Sequence, residues 1–434
     1  MKPARVVFSG VLVVGLLTAS GLAGPAVAQT APPSPFGGLL ASYGVAPNAS
    51  YTGEFAANPS GGARQGGDYA GQLALGADVD LQKLMGLTGG AFHVELTDRQ
   101  GRDLANDTIN NSVAAQEIYG GGQTYYLTTL TYDQKLFGGL VNIEVGRTEI
   151  DQVALQDPIY CEFQSNGFCG QPDIMGKVIN ASFYPVAIWG GHVTLAPTAK
   201  TYLTVGLFDS DPADSLPRDH GFDFSFMGSQ GVLIPVEFGY QTTFADDAYP
   251  RRFDVGAVFD RTPYGYTTYD AATQQLGSNS GFGRSMLYAQ AKQMVYRPDM
   301  TSQRGLTVFG AVVLGPDAHQ PADYNVTAGA VYLGPFDTRP LDSLGVAIGD
   351  THYRDSFIDQ LYAYRTGALG GGQRPHNDMI MTEIHYNVAA TSWLNVMPNI
   401  QYIVSPDGLG TLPYPKANLP NALVFGLKFN IALQ

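Results

Sequence analysis

N-A-L-V-F-G-L-K-F-N-I-A-L, residues 421–433, alternates without a break. Leu423, Phe425, Leu427, Phe429, Ile431 and Leu433 share one parity, and Val424, Gly426, Lys428, Asn430 and Ala432 share the other. A period of two is the signature of a β-strand with one set of side chains on each face. Here the first set is large and apolar at every step, and the second is small or polar. A soluble sheet buries its apolar face under another layer. Strands of this kind, repeated through a polar and Gly-rich chain, imply the reverse arrangement: apolar side chains outward against lipid, polar ones inward against water.

Composition points the same way. Charged residues make up 14% of the chain, against about 25% in ordinary soluble proteins. Gly (53), Tyr (25) and Phe (22) are abundant, as a barrel with tight turns and aromatic girdles requires. A net charge of −14 argues against a nucleic-acid partner, which needs a basic face. The chain opens with Lys2 and Arg5, an apolar run over 6–17, and Ala26-Val27-Ala28. This is the pattern of a secretory signal peptide over residues 1–28. Its cleavage would reduce 434 residues to 406 and, removing two bases and no acid, take the charge from −14 to −16. Past that segment no apolar run approaches the roughly 18 residues of a membrane helix. An exported chain without spanning helices is free in the periplasm, secreted, or a β-barrel, and the low charge and high aromatic content favour the barrel.

Alternating segments recur from Ser50 onward, bounded by Gly, Pro, Asn and Asp. One lies near Ser50. Others lie at 72–80, 90–98, 124–132, 140–148, 178–184, 201–208, 232–242, 253–259, 285–296, 306–314, 326–332 and 343–349, with three more in 379–434. That gives 16 strands, an even number as a single-chain barrel needs. Connections are unequal. Gly315-Pro316 and Gly334-Pro335 are tight, whereas 101–123, 150–176, 209–223, 264–283 and 353–377 are long and polar. The expected fold is all-β: a transmembrane antiparallel β-barrel with short periplasmic turns and long extracellular loops. It would occupy 46–434 as one domain, after a leader at 29–45 with a short helix or turn over 36–45. Pro235 and Pro398 fall inside strands and should mark bulges or strand ends. Cys161 and Cys169 close a short loop. In an exported protein they are expected to form a disulfide, here as a staple on a surface loop. No His lies nearby to complete a metal set, so neither metal nor cofactor is expected.

Several long stretches resemble the OprB family of carbohydrate-selective outer-membrane porins. They are G-G-A-F-H-V-E-L-T-D-R-Q-G-R (89–102), P-I-Y-C-E-F-Q-S-N-G-F-C-G (158–170) and H-G-F-D-F (220–224). R-G-L-T-V-F-G-A-V-V-L-G-P (304–316), V-Y-L-G-P-F-D-T-R-P (331–340), S-W-L-N-V-M-P-N-I-Q-Y-I-V-S-P (392–406) and N-A-L-V-F-G-L-K-F (421–429) match as well. The resemblance runs from about residue 40 to the C-terminus. It implies a 16-stranded barrel in the bacterial outer membrane that passes small sugars by facilitated diffusion. One departure is the last residue. Such porins usually end in Phe, and this chain ends Ala432-Leu433-Gln434.

A sugar pore catalyses nothing. It needs a water-filled lumen, a constriction, and polar contacts that favour entry yet permit exit. Arginine forks and carboxylates serve sugar hydroxyls. Parity selects the lumen candidates: His93 and Glu95 opposite Phe92, Val94 and Leu96; Glu144 in V-N-I-E-V-G; Glu237 between Val236 and Phe238; Lys292 in A-Q-A-K-Q-M; Glu383 and His385 around Ile384; and Lys428 in the closing strand. Arg99, Arg102 and Arg147 stand at strand ends, where a loop folding inward would make them constriction arginines.

Two other functions compete. A general or cation-preferring pore would follow if the acids line the lumen. A barrel enzyme would need an acid–base pair at the mouth, for which Asp219-His220 and Asp246-Asp247 are the candidates. The acidic runs 209–214 and 245–248 read as solvated loops, with weak Ca²⁺ binding as the sharper alternative. Trp189 and Trp393 read as interface girdle or sugar stack. Partners expected are small sugars and outer-membrane lipid, with the chain a monomer or homotrimer.

Overall fold

The computed structural model describes residues 35–119, 123–169, 174–211 and 217–433. The signal segment, Gln434 and the end of the acidic run at 209–214 lie outside them. Sixteen antiparallel strands form one closed barrel, each paired with its neighbours in sequence. They are β1 (Val45–Ser60), β2 (Gly66–Asp80), β3 (Gly90–Gly101), β4 (Tyr125–Leu136), β5 (Val141–Thr148), β6 (Ile188–Leu195), β7 (Thr201–Asp209) and β8 (Val232–Gln241). The second half holds β9 (Arg251–Asp270), β10 (Gln275–Tyr296), β11 (Gly305–Leu314), β12 (Ala322–Leu333), β13 (Ser343–Tyr353), β14 (Asp378–Ala389), β15 (Leu394–Val404) and β16 (Ala422–Ala432). β16 returns to β1 in a register that places Glu54 opposite Lys428. Closure leaves the sheet without an edge, so its backbone groups pair within the wall, as lipid demands.

The alternation of the closing strand holds in three dimensions. Phe425, Leu427 and Leu433 are exposed on the outer wall, and Val424 and Lys428 are buried inside. Leu75, Val193, Leu207, Phe238, Val312, Val346, Ile384 and Ile400 extend the same exposed apolar surface around the barrel.

Connections on one rim are short; those on the other are mostly long. The long rim carries 102–124, 149–187, 210–231, 354–377 and 405–421, and β1 starts and β16 ends at the short rim. Two short helices sit at the short rim, α1 (Pro35–Ser42) and α2 (Leu81–Met85); a one-turn α3 (Met175–Val178) lies in a long loop, and α4 (Asp355–Gly367) crosses the long rim.

Some expectations need correction. The segment 178–184 is not a strand; the sixth strand is Ile188–Leu195. The apolar residues before Pro185 are buried in the interior as part of a long loop, and alternation over so few residues does not separate the two outcomes. The stretch 264–283 is not a loop: β9 and β10 continue as a paired ribbon to the tight turn at 271–274. A two-stranded ribbon standing in water needs no apolar face, so its Tyr, Thr, Ser and Gly read as loop. Pro235 and Pro398 mark neither bulge nor strand end. β8 pairs through Pro235 with Val258, while its ladder with β7 steps from Val205↔Val236 to Phe208↔Leu233 at constant register. β15 repeats the device, stepping from His385↔Asn399 to Val388↔Val396 beside Pro398. Each ring thus falls where one ladder is open and a missing N–H removes no bond.

Candidate functional site

The lumen is narrowed by two long loops that fold into the barrel. The first, 149–187, carries its own apolar residues: Ile150, Leu155, Phe163, Phe168, Ile174 and Met175 are all buried. A 3₁₀ turn at Pro158–Glu162 starts where the Asp157 carboxylate accepts from the Ile159 N–H. The Cys161–Cys169 disulfide, Cα atoms 4.3 Å apart, closes the next turn. It lies within this inward loop and not on a surface loop, with Cys169 buried.

Inward-facing wall residues grip the loop in order around the barrel. The Leu155 N–H donates to Glu237 at 3.2 Å, and the Tyr160 hydroxyl to Gln290 at 2.9 Å. Lys292 Nζ donates to Asp157 at 2.7 Å. Glu383 accepts the N–H groups of Gln164 and Ser165 at 2.9 and 2.8 Å. Asn399 donates to the Gln164 side chain at 2.6 Å, and Lys428 to the Phe163 carbonyl at 3.3 Å.

The second loop, of which 102–119 and 123–124 are described, enters beside it. The Ile118 N–H donates to Glu54 at 3.3 Å, Gln401 donates to the Ala115 carbonyl at 3.0 Å, and Lys428 donates to Glu117 at 3.0 Å. The loops also join each other, Glu117 N–H to Gln164 O at 2.9 Å and Asn166 N–H to Ala114 O at 3.0 Å. Burial pushes the carboxyls of Asp103, Asp151 and Glu162 up to about 7. Glu149 is raised well above the usual carboxylate range by burial and by Asp151.

The candidates from sequence divide into three groups. Glu237, Glu383, His385 and Lys428 face inward but lie under the loops, sealed from water. His385 packs edge-on against Phe163, ring centres 4.8 Å apart. A second group lines the interior and, apart from the buried His93, keeps part of its surface exposed. His93 bonds Asp78 and lies 3.4 Å from Asp133, Glu144 lies 4.0 Å from His192, Tyr184 donates to Glu95 at 2.8 Å, and Lys292 keeps 31% of its side chain exposed. Of the three arginines, Arg99 is interior but covered, donating to Gln72 at 2.7 Å under the Tyr184 ring. Arg102 is exposed at the rim, paired with Asp107. Arg147 is not in the constriction. It shares the outward face of Val145 and pairs in register with Trp189.

Sequence reasoning missed Arg252, a heavily engaged base of the lumen. Its Nε lies 2.6 Å from Asp254, its Nη2 3.5 Å from Glu237, its Nη1 3.7 Å from Asp157, and its guanidinium stacks on Tyr202. Starting β9 at residue 253 left it outside the strand, although Phe253 and Val255 outward make Arg252 and Asp254 inward by parity. Alternation locates the first strand only near Ser50, which leaves Glu54 unassigned, and Glu117 lies in a loop without periodicity.

The interior therefore joins an arc of acids and histidines on β2–β6 to an arc with Arg252 and Lys292 on β9 and β10. The acid–base candidates at the mouth are ordinary supports: His220 bonds Thr124, Asp246 pairs with Lys200 and Asp247 with Arg251. Among the described residues no cluster of His, Cys, Asp and Glu is arranged to hold a metal ion. A wall with loops packed inside and mixed charge around the remaining lumen is a channel.

The sequence profile described as "Carbohydrate-selective porin, OprB family" matches residues 64–433. The chain belongs to the OprB family of carbohydrate-selective porins. It is 31% identical over 405 residues to Porin B of Pseudomonas aeruginosa, covering 87% of this chain and 85% of that protein. The high-pH structure of Pseudomonas putida OprB superposes with a TM-score of 0.81 at 29% identity, covering 91% of this chain and 96% of that one. The low-pH structure of the same protein matches at 22% identity with a TM-score of 0.55, over 91% and 95% of the two chains, which speaks for the barrel alone. An OprB family member is a transport channel of the outer membrane and not an enzyme.

Proposed function

We propose that this OprB-family porin passes small neutral sugars through the gap between its inward loops and the β2–β6 and β9–β10 arcs of the wall. The observation that carries the reading is the mixed lumen: His93, Glu95, Glu144 and His192 on one arc, Arg252 and Lys292 on the other. Sugar hydroxyls both donate and accept, and a lumen offering both kinds of group binds them weakly at many points. Family membership supports the same substrate class. Liposomes carrying the purified protein should swell in small neutral sugars, and mono- and disaccharides should block single-channel current to different degrees. Swelling no faster than that of empty liposomes overturns the reading.

A cation-preferring pore is the second reading, favoured by the excess of acids over bases on the β2–β6 arc. Reversal potentials in a salt gradient, with and without sugar, separate the two. The outer wall is taken to meet outer-membrane lipid directly. It exposes apolar side chains on strands from β1 to β16; the mass of the detergent-solubilised protein decides between a monomer and a homotrimer.

A further inference from the structure

The outer wall carries a structure that the channel leaves unused. Arg147 on β5 pairs with Trp189 on β6, and they share the faces of Val145 and Val193, which are exposed on the outer wall. Both side chains therefore point away from the lumen. A bare arginine there would meet lipid, at a cost that rises with depth. Yet Arg147 is 0% exposed. It is covered by the connection between β7 and β8, whose residues 220–226 fold back over β4–β6. Arg147 donates to the Asp223 carbonyl at 3.3 Å, the Trp189 indole N–H donates to the same oxygen at 3.1 Å, and the guanidinium lies over the Trp189 ring. The Leu127 N–H donates to the His220 carbonyl at 2.9 Å, and the His220 ring stacks on Tyr125 at 3.9 Å. Trp189 also meets Phe224 and Phe226, with ring centres at 5.4 and 5.9 Å.

This flap turns polar backbone toward the wall and leaves much of its apolar side-chain surface exposed. Phe222, Phe224, Phe226 and Met227 are 49%, 55%, 62% and 97% exposed. Four large apolar groups together are what a loop in water avoids. They add to the exposed apolar surface of Val145 on β5, Val193 on β6 and Leu207 on the neighbouring β7. We propose that the flap is a membrane-contact element. It seals Arg147 from lipid on its inner side and places Phe222, Phe224, Phe226 and Met227 among the acyl chains of the bilayer on its outer side. A loop, and not only the strands, then holds this arc of the barrel at its depth in the membrane.

The chain's two cysteines are joined to each other and none is free, so Met227→Cys supplies a single thiol for a polarity-sensitive fluorophore. The full chain is reconstituted in phosphatidylcholine vesicles with or without nitroxide-bearing acyl chains, and native folding is checked by heat-modifiable migration. Asp337→Cys, at a side chain 93% exposed on the opposite rim, is the aqueous reference. At Met227→Cys the emission should move to the blue and be quenched severalfold more by nitroxide lipid than the reference. Quenching by aqueous iodide as strong as at the reference overturns the proposal. So does protection from both quenchers together with cross-linking between copies, which would assign the flap to a second copy of the chain. Should labelling disturb the flap, Trp189 serves as the native probe in a Trp393→Phe protein. Acyl-brominated lipid should quench it, and Phe224→Ser with Phe226→Ser should make it accessible to iodide; unchanged iodide access in that variant overturns the proposal.

Discussion

Glu54 and Lys428 are register partners across the seam that closes the barrel, with Lys428 Nζ 3.5 Å from Glu54 Oε1 and both side chains sealed from water. The same ammonium holds Glu117 of one inward loop and the Phe163 carbonyl of the other. Barrel closure and pore narrowing thus converge on a single cation. An ion in such a place is tolerated because opposed charges and a carbonyl replace its water.

Lys428→Met tests that convergence. It leaves Glu54 buried beside Glu117 without its counter-ion, at about 3–5 kcal/mol for a broken buried pair. It also frees a point of attachment on each loop. The urea midpoint in detergent should fall, and single-channel conductance should rise with weaker sugar block. Adding Glu54→Gln should recover much of the stability and none of the sugar block. A fall in stability with conductance unchanged would reduce Lys428 to a seam element.

Glu383 holds the apex of the first loop by accepting two adjacent N–H groups, from Gln164 and Ser165. A carboxylate can take both; an amide keeps one acceptor and adds donors that face donors. Glu383→Gln should cost about 1–3 kcal/mol, the range for a buried group left unsatisfied. The apex should loosen, so open-channel noise grows and protease cuts within 149–187. A quiet, protease-resistant channel would contradict the assignment.

Which features were legible follows from what alternation can express. Parity depends on strand geometry alone, so it placed Lys428, Glu383, Glu237 and His93 inside and Phe425 and Ile384 outside correctly. It says nothing of what an inward side chain meets. Lys428 and Glu383 meet loops, and only the tertiary fold of 102–119 and 149–187 reveals that. Arg147 was misread by neglecting parity at a strand end: Val141, Ile143, Val145 and Arg147 form one outward series. No pattern in β5 could have announced the flap, 70 residues later, that makes an outward arginine bearable. Arg252 was lost to a boundary error of two residues.

The loop carboxyls make narrowing depend on pH. Asp103, Asp151 and Glu162 are raised to about 7 by burial, so the packed loops hold protons that released loops give up nearer 4. The packed state is therefore favoured at acid pH and loses stability as pH rises through about 7. Proteolysis within 149–187 should accelerate as pH rises from about 5 to about 8. Glu162→Gln, which keeps an acceptor for the Ser343 hydroxyl at 3.2 Å, should flatten part of that rise. A pH-independent rate in the unaltered protein would remove the buried carboxyls as its cause.

Gly345 and His385 are paired across β13 and β14, and the fit between them sets how deeply the wall receives the loop. A Cβ on residue 345 would lie 2.2 Å from the His385 ring carbon Cε1. The ring cannot yield inward, because Phe163 of the loop stands against it. Gly345→Ala should therefore cost about 1–3 kcal/mol, as overpacking does elsewhere, and push the loop toward the pore axis, lowering conductance. His385→Ala in the same chain should relieve the clash and restore conductance, while on its own it should leave a cavity and loosen the loop. The opposite signs of the two single variants, with recovery in the double, distinguish steric seating from a direct role of the imidazole in sugar passage. Sugar block that falls equally in His385→Ala and in the double variant would favour the direct role.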